Sequence, residues 1–356
     1  KANGLHEVKI SAFDYDATTK IGLVGYKSGA MDVITPEGIT YVVDIPIASG
    51  YTGSKKINHI SINGNLAVVS VGYGVSIFRL DKKEFGDTSF FTNAGLFESA
   101  KEAMIKDNFV YVVTATGLKS HQMNVTFPIY SSWNSVAGGS FNQIAGTSMV
   151  VYANANTVKY GDGNTFSTIA QSFSNIQDVT VTDQNIVVTD TNSVSVFTKA
   201  GNFVKSYAAD ELLNTGFYSG SQIFAGTKIS GIKNDTGQLL KPDGPYNNTS
   251  YKIDVVGQQI VVSSGGRGGN LEPVVSNLGY YHFNGSQWIY PEIFRNPTVP
   301  FNVLDAVINP SKPSEIFFSN YVFQEGAKGI YRMEDNQYVK NYATDLQYFN
   351  RITGLV

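Results

Sequence analysis

The chain has 356 residues, a net charge of −3, only 15% charged residues and no cysteine, against 13% aromatics and 35 glycines. The missing basic excess argues against a nucleic-acid binder, because phosphate neutralisation supplies most of that affinity. Without cysteine there is no disulfide framework, zinc finger or thiol nucleophile. No run of about eighteen apolar residues occurs, so no membrane-spanning helix is expected. The opening Lys1-Ala-Asn-Gly-Leu5 is not a signal peptide. A strand pattern follows it at once, which reads as a processed or truncated chain.

In chain order, one element recurs: a short continuous apolar run after a turn. Its copies are Ile21-Gly-Leu-Val24, Leu66-Ala-Val-Val69, Tyr111-Val-Val113, Met149-Val-Val-Tyr152, Ile186-Val-Val188, Ile223-Phe-Ala225, Ile260-Val-Val262 and Ile316-Phe-Phe318. Their centres are spaced 45, 44, 38, 37, 37, 37 and 56 residues apart. A period near 40 is that of a four-stranded propeller blade. Before each run lies an alternating strand, as in Ile10-Ser-Ala-Phe13, Ile57 to Ile62, Ile176 to Val181 and Asn302 to Val307. After it comes a turn and a strand ending in an aromatic, as in Gly74-Val-Ser-Ile-Phe78 and Ser193-Val-Ser-Val-Phe197. Continuous runs suit strands buried on both faces, and alternation suits strands at the axis. The fold class is therefore all-β, a β-propeller of four-stranded antiparallel blades. Helix is expected only as single turns, at Asp210 to Leu213 and at Glu98 to Met104.

Lys241-Pro-Asp-Gly-Pro-Tyr-Asn-Asn248 reads as a linker. The spacing changes beyond it, with insertions at Gly265 to Leu278 and Pro291 to Pro300. The expected organisation is parts of two propellers. Residues 1–241 form about six blades of the first, with an N-terminal blade missing. Residues 242–250 form the linker, and 251–356 begin the second propeller, with Phe349 to Val356 starting a further inner strand. A single eight-bladed ring is the other arrangement the count permits.

Catalytic patterns are absent. His6, His59, His121 and His282 form no zinc-ligand pair. Asp14-Tyr-Asp16, Gly161-Asp-Gly163 and Asp190-Thr-Asn192 read as polar turns, since a calcium loop needs more oxygen ligands. Ser131-Ser-Trp133 and Ser286-Gln-Trp288 are incomplete as sialidase boxes, and no serine-hydrolase elbow occurs. No enzyme, metal or cofactor is expected. The most unusual string is Gly265-Gly-Arg-Gly-Gly269. Glycine amides can converge on an anion with an arginine as charge partner. Gly266, Arg267 and Gly268 are accordingly the candidate ligand contacts.

Several long strings carry a family resemblance. They include Gly25-Tyr-Lys-Ser-Gly29, Tyr41-Val-Val-Asp-Ile-Pro46, Lys55 to Ser61, Val68 to Phe78, Phe127 to Trp133, Lys241 to Ser250 and Phe301-Asn-Val-Leu-Asp-Ala306. Across nearly its whole length the chain resembles the PorZ-type propeller proteins of the type IX secretion system of Bacteroidetes. The resemblance implies two propellers followed by a β-sandwich sorting domain. It also implies a cell-surface, outer-membrane location and a complex that attaches secreted proteins to anionic lipopolysaccharide. The partners it implies are a sortase-like peptidase and outer-membrane proteins, the propeller protein itself being a scaffold. The alternative class is a ligand-sensing propeller of a hybrid two-component regulator, which shares the blade pattern. A polysaccharide-active propeller enzyme would need an acid/base carboxylate pair that the sequence does not display.

Overall fold

The computed structural model describes residues 4–93, 95–146, 148–241, 243–342 and 354–355. Eight four-stranded sheets are present, each an antiparallel meander with its strands in chain order. We number these blades 1 to 8. The chain divides into two compact units, Lys1–Lys241 with blades 1 to 6 and Pro242–Val356 with blades 7 and 8.

The apolar runs form the second strands: Ile21–Tyr26, Leu66–Val71, Phe109–Val113, Val150–Ala153, Asn185–Thr189, Gln222–Thr227, Gln259–Ser263 and Glu315–Asn320. In blades 1 to 5 these strands are buried almost end to end. Alternate residues of one strand serve two cores. Val69 packs toward blade 1, with Leu23 and Met31, while its neighbour Val68 packs toward blade 3, with Val110 and Val112. A strand flanked by apolar layers on both faces has no polar side, which explains the continuous run.

Turn chemistry fixes the meander. Asp107-Asn108 and Asp335-Asn336 both adopt positive φ, the geometry of a two-residue hairpin turn that matches strand twist. At Gly279, φ is +64° and the Phe294 ring occupies the place of a β-carbon, so only glycine fits. The Phe294 ring, carried by the turn Glu292–Phe294 within the expected Pro291 to Pro300 insertion, belongs to the blade 7 and 8 core with Phe301, Phe318 and Tyr331.

Two helical expectations fail. Glu102–Lys106 is the first strand of blade 3, and Leu213 begins the first strand of blade 6. Asp210 and Glu211 both pair with Lys233, at 2.7 and 2.8 Å, which anchors that corner without a helix. The four-residue helix Asp44–Ile47 arises instead where Ile45 enters the blade 1 and 2 core. The segment Phe349 to Val356, expected as a further strand, lies mostly outside the described residues.

The first blade of each unit exposes the face of its first strand that points away from the next blade. Phe13 and Tyr15 are 61% and 52% exposed, and Ile253 and Val255 are 59% and 58% exposed. The alternate residues Asp14 and Asp254 point to the following blade and hold its backbone, as follows below.

Candidate functional site

The glycine-rich loop lies between the second and third strands of blade 7, Gln259–Ser263 and Tyr280–Phe283. Its amides are directed into the protein. Gly265 N–H donates to the Val303 carbonyl at 2.8 Å and Gly268 N–H to the Glu272 carbonyl at 2.9 Å. Gly266 N–H donates to Asn302 Oδ1 at 2.8 Å, and Asn302 Nδ2 returns a bond to the Gly266 carbonyl at 3.0 Å. Asn302 is fully buried, so this exchange satisfies an amide side chain that would otherwise cost several kcal/mol, of order 2 to 7. Arg267 pairs with Pro273 in an isolated bridge and lays its guanidinium over Tyr321, 5.4 Å from the ring centroid. Three amides that an anion nest would draw on are thus committed to protein acceptors, and Arg267 itself is engaged with Tyr321 and Pro273.

A second arrangement recurs at the start of the inner strands. Asn58, Lys101, Asn142, Gln177 and Tyr251 occupy equivalent places, each donating its amide to the end of its blade's second strand. The residues that follow them are His59, Glu102, Gln143, Asp178 and Lys252. All are polar, and they reach toward the next blade. Glu102 Oε2 accepts Ile144 N–H at 2.8 Å, Gln143 Nε2 donates to the Gln177 carbonyl at 2.8 Å, and Asp178 accepts the Thr215 hydroxyl. In the second unit, Lys252 Nζ lies 2.5 Å from Asp305 Oδ2. Further along the first strands, Asp14 accepts Ile62 N–H at 2.6 Å and Asp254 accepts Ile308 N–H at 2.9 Å. These two latches occupy the same register place, opposite Leu23 and Val261 of the second strands. Asn63 and Thr180 supply further latches, to the Ile105 and Gly216 carbonyls.

This belt has unusual electrostatics. Burial pushes the Glu102 carboxyl up to about 8, against the hydrogen bond from Ile144 and with the help of the Asp178 charge. Burial also raises Asp178 and Asp14. It lowers His59 to about 4, although the adjacent Ala103 backbone favours the charged form, and the buried His59 Nδ1 has no partner. Desolvation disfavours the charged state of either sign, so acid and base move in opposite directions. Near neutral pH, Glu102 is largely protonated and His59 neutral. The sequence displayed no such regularity because the position is filled by different residue types; only the shared amide bond that precedes it reveals the equivalence.

The remaining candidates fall into structural roles. Asp16 caps its turn through Thr19, Asp162 accepts Asn164 and Thr165 amides, and Asp190 accepts those of Ser174 and Asn175. His121 bonds Ser132 at 2.7 Å, His282 lies against Asn336 and Gln259, and His6 pairs with the buried Asp32 at 2.7 Å. Among the described residues, no group of three His, Cys, Asp or Glu side chains is placed to hold a metal. No helix among them is long and apolar enough to cross a membrane.

Chain-ordered four-stranded meanders, latched blade to blade at the first strand, define a β-propeller protein. Residues 1–134 match the family model for the PorZ N-terminal β-propeller domain of type IX secretion. Among solved structures, the fold is similar to PorZ of Porphyromonas gingivalis, described as an essential bacterial surface component of the type-IX secretion system, with a TM-score of 0.69 and 16% identity. The match covers 96% of this chain and 47% of that one, so the chain spans about half the length of PorZ. No curated protein matches the sequence. The resemblance to PorZ-type propeller proteins thus holds both in residue pattern, over 1–134, and in fold, along nearly the whole chain.

Proposed function

We propose that this chain is a non-catalytic scaffold of type IX secretion at the cell surface, helping to attach secreted proteins to anionic lipopolysaccharide. The observation that carries the reading is the PorZ-like blade series, extending from the matched residues 1–134 over 96% of the chain. The latched belt supports it: the buried titratable groups of the inner strands are spent on holding neighbouring blades, which suits a rigid display surface. Its partners in this reading are a sortase-like peptidase and outer-membrane proteins of the attachment complex, with the chain exported to the outer membrane. Residues 1–241 and 251–356 are then parts of two propellers joined by 242–250, and Arg267, presented by Gly266 and Gly268, is a contact for an anionic ligand.

Deletion of the gene tests the role. Secreted cargo should appear in the medium rather than on the cell surface, and expression of the wild-type gene should restore attachment. Normal secretion and attachment in the deletion strain would overturn the proposal. Substituting Arg267→Ala in the restored gene separates the loop contact from the scaffold role. Loss of attachment with normal protein levels supports the contact, and full attachment removes it.

A further inference from the structure

Blade 3 carries a cleft of about 460 Å³ on its outer strands, lined by Thr92, Glu98, Thr116, Lys119, Tyr130, Ser131, Trp133 and Ser135. This volume lies in the range of small-molecule sites. The sequence places these residues in four separate segments, and two local features bring them together. A β-bulge between Leu118 and Lys119 leaves Val136 unpaired and sets Lys119 directly opposite Ser135, so that both side chains face the cleft. The turn Tyr130–Ser132 then lays Tyr130 over Phe91, with ring centroids 4.6 Å apart, and fixes Trp133 through its Nε1–H bond to the Phe127 carbonyl at 3.0 Å.

Glu98 is the organising group. Its Oε1 accepts both the Thr116 hydroxyl, at 2.6 Å, and the Thr116 amide, at 3.1 Å, while Oε2 accepts the Tyr130 hydroxyl at 2.8 Å. Burial alone would raise its pKa, but the hydroxyls of Thr114, Thr116 and Tyr130 and the Lys119 charge together bring it below the usual value. The group is therefore a fixed, ionised acceptor. Of its two oxygens, Oε2 accepts the Tyr130 hydroxyl alone among the described hydrogen bonds, and a carboxylate oxygen can accept about two. Lys119 Nζ lies 3.8 Å from that same oxygen, too far for a hydrogen bond, and 5.5 Å from the Tyr130 centroid. An ammonium with donors to spare stands beside a carboxylate oxygen with an acceptor to spare.

Two adjacent hydroxyls complete such a pair: one donates to the carboxylate while its neighbour accepts from the ammonium. The Lys119 and Glu98 charges balance, so the cleft has little attraction for a free phosphate. Thr92, Ser131 and Ser135 add hydroxyl-bearing side chains to the lining beside the Tyr130 and Trp133 rings, a mixture that suits a ring with a polar edge and an apolar face. We propose that the blade 3 cleft binds a pyranose ring through a vicinal diol, with Glu98 as acceptor and Lys119 as donor. The inference rests on the lipopolysaccharide reading above for the source of the sugar, which is the polysaccharide portion and not the lipid.

Trp133 is one of only two tryptophans, the other being Trp288. In a Trp288→Phe chain, Trp133 alone reports on the cleft. Polysaccharide released by mild acid from the lipopolysaccharide of the same strain is titrated into this protein. A saturable change in Trp133 emission is expected. Glu98→Gln and Lys119→Met should weaken binding by about tenfold or more, the usual consequence of losing a hydrogen bond to a charged group. Ser131→Trp, on an exposed turn, should block the cleft with an unchanged melting curve; its affinity is read by calorimetry because it adds a tryptophan. Binding by the parent chain with undiminished affinity in all three variants would overturn the cleft assignment and leave the lipopolysaccharide reading standing. Absence of binding to the parent chain would remove both.

Discussion

Replacing Glu102 with glutamine should make the first unit more stable at neutral and alkaline pH. In the folded chain this carboxyl titrates near 8 because burial penalises its charge, whereas an unperturbed glutamate titrates near 4.5. Below pH 4.5 the group is protonated in both states and imposes no penalty. As pH rises, the unfolded chain releases its proton first, so stability falls across the interval from about 4.5 to 8 and is constant above it. At about 1.4 kcal/mol for each tenfold change, the full loss is of order 5 kcal/mol and the loss at pH 7 about 3 kcal/mol. Glutamine keeps an oxygen that can accept Ile144 N–H and has no proton to lose. Urea unfolding of wild type and Glu102→Gln, followed from pH 5 to pH 9 by Trp133 emission, measures the difference. The two midpoints should lie closest near pH 5, diverge in favour of the variant up to about pH 8 and keep that separation to pH 9. Parallel profiles, or a variant less stable than wild type at pH 9, would refute the account of Glu102 as a buried, protonated latch.

The acid side should show the opposite sign at His59. Its folded value near 4 lies below the 6.5 of a free imidazole, so stability is lost as pH falls through that interval, and His59→Gln should flatten this limb by up to about 3 kcal/mol in a urea series extended down to pH 4. Asp14→Ala should strip Ile62 N–H of its acceptor and cost the first unit about 1 to 3 kcal/mol, read by Trp133. Asp254→Ala should cost the second unit a similar amount, read by Trp288. Gly25→Ala would place a β-carbon 2.7 Å from Ile57 Cγ2, and this overpacking between blades 1 and 2 should lower stability by about 1 to 3 kcal/mol, measured as a fall in melting temperature.

The parts of the fold legible in the sequence were those set by residue type at short range. The second strands announced themselves because burial on both faces demands an unbroken apolar run, and Val68 and Val69 serve two cores without any polar letter between them. The belt was illegible for the opposite reason. His59, Glu102, Gln143 and Asp178 share a place and not a chemistry, and each meets a different group of the following blade: the Ala103 backbone, the Ile144 N–H, the Gln177 carbonyl and the Thr215 hydroxyl. The glycine-rich loop was noticed, but the destination of its amides was not, because Asn302 lies 36 residues further on. The same limit applied at Ser131-Ser-Trp133, dismissed as an incomplete motif. Its value emerges only when Glu98 and Lys119 arrive from other segments.

The latches have a consequence for the order in which the molecule is made. Each described latch joins a blade to its successor in the chain, from Asp14 to Ile62, Glu102 to Ile144, Gln143 to Gln177, Asp178 to Thr215 and Asp254 to Ile308. None of them waits for a distant segment. A chain delivered N-terminus first can therefore dock every new blade on the one already formed, with loop-closure distances of about one repeat rather than the whole domain. Assembly by this route is directional, and a lesion at one latch would stall the growing stack at that blade.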